Sequence, residues 1–261
     1  MEIVLTGKNA LVGGSSKGIG LAIAQQLSKS GANVTLMARN EAKLKEVLAS
    51  LSTKNGQNHS YLLVDFSNFE MFKKTISSFF EQNTIDILVN NTQGPEGGGA
   101  LEKNVDDYQT AFDLLFKSVV LTTELALQHM QKNSWGRIIN VASISVKEPL
   151  NYLALSNSIR AAVVTWGKSL AYDVAKDNIT VNSVLTGYFD TDRIAQLNAK
   201  KAEKLGISPE EVRTNMEEQV PMKRIGHPDE YGYLVTFLAS NRAAYITGTN
   251  IPIDGGLLKS L

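Results

Sequence analysis

Nine consecutive residues near the start of the chain, Val12-Gly13-Gly14-Ser15-Ser16-Lys17-Gly18-Ile19-Gly20, have the types and spacing to hold a pyrophosphate. They follow a short apolar run, Ala10–Val12, and open an amphipathic stretch, Leu21–Lys29, which places them at a strand-to-helix turn. Gly14, Gly18 and Gly20 let the backbone turn tightly and approach a ligand, and the unpaired N–H groups of the helix start meet its negative charge. Ser16, Lys17 and Ile19 lie between them in the same turn. A glycine-rich turn that binds nothing carries the same letters, so its place after the first strand and the motifs further along must favour a nucleotide.

Arg39 indicates which nucleotide. The second apolar run ends Leu36-Met37-Ala38-Arg39, with no carboxylate there to bond ribose hydroxyls. An arginine at that place suits a 2′-phosphate, and Lys17 adds a second charge, so NADP (NADPH) is the expected cofactor over NADH. Solvated surface cations are the competing explanation for both.

These residues need a scaffold, and the sequence spells one out. Apolar or β-branched runs at Ala10–Val12, Asn33–Ala38, Tyr61–Val64, Ile85–Val89, Arg137–Val141, Thr180–Val184 and Asn250–Ile253 read as strands buried on both faces. Amphipathic stretches at Leu21–Lys29, Glu41–Leu51, Glu70–Glu81, Asp106–Gln131 and Leu155–Ala175 alternate with them. The alternation predicts an α/β fold: one Rossmann-like domain over residues 1–261, a doubly wound parallel sheet of about seven strands with helices on both faces. Residues 192–219, charged and helical with Pro209 inside, follow the sixth strand and are expected to form a lid. Gly97-Gly98-Gly99 reads as a flexible loop.

Composition removes other classes. The 261 residues are 43% hydrophobic and 20% charged, which excludes disorder, collagen and coiled coil. Twenty-six basic residues balance twenty-six acidic ones, so nucleic acid is not an expected partner. No cysteine and three scattered histidines leave no thiolate chemistry and no expected metal site. No apolar run approaches the roughly 18 residues of a membrane span and no leader is visible, so no membrane partner is expected and the expected location is cytoplasmic.

Taken in order, the motifs resemble the short-chain dehydrogenase/reductase family, most closely the branch of 3-oxoacyl carrier-protein reductases. The resemblance spans the whole chain. It runs through Gly14-x3-Gly18-Ile19-Gly20, Asp65-Phe66, Asn90-Asn91-Thr92 and Gly136-Arg137-Ile138-Ile139-Asn140-Val141-Ala142-Ser143. It continues through Ile179-Thr180-Val181-Asn182-Ser183-Val184, Pro221 to Glu230 and Tyr245 to Gly256. The resemblance implies that Asp65, with Phe66 beside it, holds the adenine, that Asn91 lies beside the adenosine half, and that Thr191 reaches the nicotinamide end. It also implies a homotetramer, packed through faces such as Leu114–Met130 and Ala161–Leu170, and a small-molecule substrate of acyl-thioester type.

Family members reduce carbonyls with an Asn-Ser-Tyr-Lys tetrad, and only the serine, Ser143, matches here. Counting from the flanking motifs puts Leu115 at the Asn position, Ser156 at the Tyr position and Arg160 at the Lys position. Gly13 in place of Thr and Thr186 in place of Pro are smaller departures. A tyrosine drawn toward neutrality by an adjacent cation is a competent proton donor, whereas a serine hydroxyl is a far weaker acid. Arg160 shares a helix face with Ser156 and offers a fixed charge with a fork of donors, which suits ribose hydroxyls and an oxyanion better than proton shuttling. The candidate catalytic set is therefore Ser143, Arg160, Ser156 and Tyr152, with Tyr152 a substitute acid and Tyr188 a second choice. Lys147 could touch an anionic substrate, although a solvated lysine accounts for it equally well. Tyr152 to Arg160 is a spacing of eight, one more than the enoyl-reductase pattern of the same superfamily. Two functions stay open: an oxidoreductase with an altered site, or a catalytically impaired, regulatory NADP-binding protein.

Overall fold

Buried residues alternate sides along the central strands, and that alternation decides the architecture. On β1 (Asn9–Gly13), Ala10 and Val12 enter one apolar cluster while Leu11 enters another. On β4 (Ile87–Asn90), Ile87 and Val89 join the first and Leu88 the second. Strands apolar on both faces are stable only with a layer on each side. The computed structural model, which describes residues 2–260, has that three-layer arrangement.

Among the described residues the remaining strands are β2 (Asn33–Ala38), β3 (Ser60–Leu63), β5 (Gly136–Ser143), β6 (Ile179–Thr186) and β7 (Asn250–Ile253). They form one sheet in the order β3-β2-β1-β4-β5-β6-β7, every pairing parallel. The chain winds outward from β1 through α1 (Gly18–Lys29) and α2 (Glu41–Ser50), then returns through α3 (Phe69–Gln82) to place β4 on the other side of β1. Consecutive crossovers leave β1 and β4 in opposite directions, which opens a crevice at their carboxyl ends.

Helix α1, α2 and α9 (Pro228–Leu238) cover one face, where Ile23, Leu27, Leu44, Tyr231 and Val235 are fully buried. Helices α3, α4 (Val105–Phe112), α5 (Ser118–Lys132) and α6 (Ala154–Val174) cover the other through Phe72, Ile76, Met130 and Ile159. The stretch expected as one helix over Asp106–Gln131 is interrupted, because a π-helical turn at Asp113–Lys117 joins α4 to α5.

The charged stretch after β6 also differs from a single helix. It is two helices, α7 (Asp192–Leu205) and α8 (Pro209–Gln219). Gly206 closes α7 in the left-handed region, and Ser208 caps α8 with Pro209 in its first turn, where a missing N–H costs nothing. Helix α9 was not among the expected helices, although Pro228-Asp229-Glu230 supplies a proline and two acids to its first turn. The Gly97-Gly98-Gly99 patch is tied down rather than flexible: the Gly98 N–H donates to the Tyr152 carbonyl at 2.8 Å, and the Ala154 N–H donates to the Gly98 carbonyl at 3.0 Å.

Candidate active site

Most helices of this protein cap themselves. Asn40, Asn68, Asn104, Thr191 and Ser208 each accept a backbone N–H at the start of α2, α3, α4, α7 and α8. Helix α1 does not: Lys17, extended at its N-cap position, offers no side-chain oxygen, and no acid occupies the first turn. Its first N–H groups therefore have no acceptor from a cap, and they open on the crevice between β1 and β4. Gly14 turns there with φ at +55°, and a side chain at Gly20 would run into the Gly14 carbonyl and the Asn91 amide. The Asn91 Nδ2 donates to the Gly13 carbonyl at 3.0 Å and fixes the end of β4 to the turn.

The crevice is a cleft of about 890 Å³. Its walls bring together Gly14, Ser16, Lys17, Gly18, Ile19, Gly20, Arg39, Phe66, Asn91 and Thr191 at one stretch, and Ser143, Ser156 and Arg160 at another. These residues come from the ends of six strands and from α6, so the sheet and not local sequence assembles the site. Two residues of the expected set stand off the wall. Asp65 accepts from the Ser67 N–H and hydroxyl at 2.9 Å and 2.6 Å, with Arg39 Nη1 at 3.9 Å from the same oxygen, Oδ1. Its carboxyl lies below the usual range because those bonds and Arg39 outweigh its partial burial.

Tyr152 is the other. It lies outside the cleft lining with 40% of its surface exposed. Burial of the hydroxyl end, reinforced by Tyr188, pushes Tyr152 up to about 12, and burial raises Tyr188 too. A proton donor needs the opposite shift. Leu115, in the π-helical turn, is 2% exposed and presents no polar atom that could hold a relay water.

At the inner end, the Arg160 Nη1 donates to the Val141 carbonyl at 2.7 Å, and its Nε donates to the Ser156 hydroxyl oxygen at 3.3 Å. Burial, with Arg193 close by, holds the Arg160 guanidinium below its ordinary value. The Ser143 oxygen accepts from the Ser145 N–H at 3.1 Å. Both serine oxygens thus accept from neighbours, and each hydroxyl hydrogen is left to donate elsewhere. Thr191 spends its hydroxyl on the start of α7, where Ile194 N–H donates to it at 3.4 Å.

Two cross-cleft contacts escaped sequence reasoning. The Lys17 Nζ meets Asp192 Oδ2 at 3.0 Å, and the Arg39 Nη2 donates to Gln93 Oε1 at 2.6 Å. Gln93 and Arg193 both line the cleft, and a basic residue two places after Thr191 was the available signal for the second.

Known proteins resemble this chain over nearly its whole length. A family model described as enoyl-(acyl carrier protein) reductase matches residues 14–258. The 3-oxoacyl-(acyl-carrier-protein) reductase of Aquifex aeolicus is 32% identical over 98% of this chain and 100% of its own. Its counterpart in Chlamydia pneumoniae is 34% identical over 98% and 99%. Among solved structures, L-sorbose reductase from Gluconobacter frateurii, complexed with NADPH and L-sorbose, superposes with a TM-score of 0.92 at 32% identity over the full length of both chains. YwfH, an NADPH-dependent reductase involved in bacilysin biosynthesis, superposes at 0.91 with 29% identity, covering 97% of this chain and 99% of that one. The chain belongs to the short-chain dehydrogenase/reductase family. No helix is long and apolar enough to cross a membrane, and no group of residues suited to a metal ion occurs among the described residues.

Proposed function

We propose that this protein is an NADPH-dependent oxidoreductase that reduces a carbonyl compound, 3-oxoacyl-like in its chemistry, through an altered catalytic site. The observation that carries the proposal is one continuous cleft, with the uncapped α1 and Arg39 at one stretch and Ser143 with Arg160 at the other. The residues fit the nucleotide: free N–H groups and a side-chain-free Gly20 suit a pyrophosphate, and Arg39 with Lys17 suits a 2′-phosphate. Relatives bound to NADPH support the same choice.

When bound, the nicotinamide supplies a hydride. The chain's own part is electrostatic. Ser143 and Ser156 donate their hydroxyl hydrogens toward the substrate oxygen, and Arg160 places a fixed charge where that oxygen turns negative. Ser156 and Arg160 stand where the family pattern has Tyr and Lys, and neither is a proton donor near neutrality. The proton therefore comes from water. Helices α7 and α8 act as the lid, the small-molecule substrate enters beneath them, and the working form is a cytoplasmic homotetramer.

A second reading, a catalytically impaired NADP-binding regulator, draws on one observation: Tyr152 and Tyr188 both stand outside the cleft lining, and burial raises both. Fluorescence titration with NADPH, followed by cofactor absorbance with ketones, oxo acids, 3-oxoacyl thioesters and enoyl thioesters, separates the two. Turnover that drops at least ~100-fold in Ser143→Ala, with NADPH affinity unchanged, supports the enzyme. Binding without turnover on any of these compounds supports the regulator.

A further inference from the structure

The inner end of the cleft has two guanidinium groups and no carboxylate to match them. Arg160 and Arg193 both line it, and each donates to an uncharged acceptor: Arg160 to the Val141 carbonyl and Ser156 oxygen, Arg193 Nη2 to the Pro95 carbonyl at 3.0 Å. Among the described residues on the cleft wall the sole acid is Asp192, which Lys17 engages. Burial makes the Arg160 charge costly without a counter-ion, and Arg193, itself exposed, adds a like charge that disfavours it further. An anion placed between them would relieve the cost at Arg160.

The cofactor's phosphates have other partners. Arg39, Lys17, Lys43 and the start of α1 serve the nucleotide stretch of the cleft, leaving Arg160 and Arg193 to the reacting end. That end is also bounded by tied loops. The Gly98–Leu153 bridge ties the loop after β4 to the loop before α6, and Arg193 ties the first turn of α7 to the same β4 loop at Pro95. A long acyl chain has to part these contacts, whereas a compact ligand does not.

We propose that the substrate is a small oxo acid whose own carboxylate lies between Arg160 and Arg193, with its carbonyl oxygen on the serine hydroxyls. This rests on the NADPH-dependent reading above and narrows its carbonyl compound from a 3-oxoacyl-like one to a free oxo acid. Arg193 is then a substrate-binding residue that selects an anion over the neutral thioester or ketone.

Oxamate, a non-reducible mimic of a 2-oxo acid, tests it without turnover. It is titrated into NADPH-saturated protein by NMR beside ethyl oxamate, which has the same skeleton without the charge. Oxamate is expected to bind at least ~10-fold tighter, and Arg193→Gln to erase that preference while NADPH affinity stays within about twofold. Equal binding of the two compounds, or no binding of either, overturns the proposal in the unaltered protein, so a variant that misfolds does not rescue it. A tenfold loss of NADPH affinity in Arg193→Gln overturns it as well, because the arginine then serves the pyrophosphate. Failure of NADPH to bind the unaltered protein strikes the underlying reading instead, and is seen before oxamate is added.

Discussion

The two ends of the cleft are built from different materials. At the nucleotide end the surface is mostly backbone: a left-handed glycine, bare N–H groups at α1, and a Gly20 that meets carbonyl and amide atoms with no room for a methyl group. At the reacting end it is side chains, with two serines and two arginines each held by one or two hydrogen bonds. Backbone geometry tolerates almost no substitution, whereas side-chain geometry can be rewritten one residue at a time while the fold persists. The difference lets a fold hold its cofactor turn fixed while the side chains at the other end of the cleft vary.

Four substitutions break or sharpen that contrast. The largest effect is expected from Gly20→Ala, which drives a methyl into the Gly14 carbonyl; NADPH affinity should fall ~100-fold or more by fluorescence titration, since every N–H aimed at the pyrophosphate shifts with the turn. Next comes Arg39→Asp, which should weaken NADPH about 10- to 100-fold while leaving NADH within about threefold. Equal losses for both cofactors would place the 2′-phosphate elsewhere.

At the reacting end, Tyr152→Phe should leave turnover within about twofold, because the hydroxyl it removes stands off the cleft wall and is pushed up to about 12 by burial. A collapse in rate would return Tyr152 to the site as the acid. The smallest effect lies outside the cleft. The Arg224 fork holds Glu230 down to about 2, aided by the His227 N–H. A carboxyl depressed on folding contributes stability above its unfolded value near 4.3, lost as pH falls toward 2. Glu230→Gln should therefore lower the melting temperature at pH 7 by a degree or two at most, this pair being half exposed, and flatten the acid limb of the melting profile.

Much of this was legible in the sequence because the governing signals are local. Strand–helix alternation, the glycine turn and Arg39 each declare themselves within a dozen residues, and the sheet that results carries all seven expected strands. What was not legible depends on atoms distant in the chain. Tyr152 was a reasonable substitute acid by its place before Ser156, yet the fold leaves it outside the cleft lining with its hydroxyl raised by burial. Arg193 looked like one more charge on a polar helix until the Pro95 carbonyl, 98 residues earlier, drew it over the cleft. The glycine patch read as loose because nothing nearby reveals that Leu153 pairs with it. Helix α9 was missed because its apolar face needs α1 to pack against, a partner some two hundred residues away.

The strand order has a consequence for synthesis. β3, β2, β1 and β4 complete their mutual pairing by Asn90, so the nucleotide end has its framework when barely a third of the chain exists. β5, β6 and β7 then join one edge in turn, and Asp192 reaches back across 175 residues to Lys17. A nascent chain emerging in that order displays its glycine turn long before the helices that cover it, and the parallel edge left waiting is the part most exposed to mispairing.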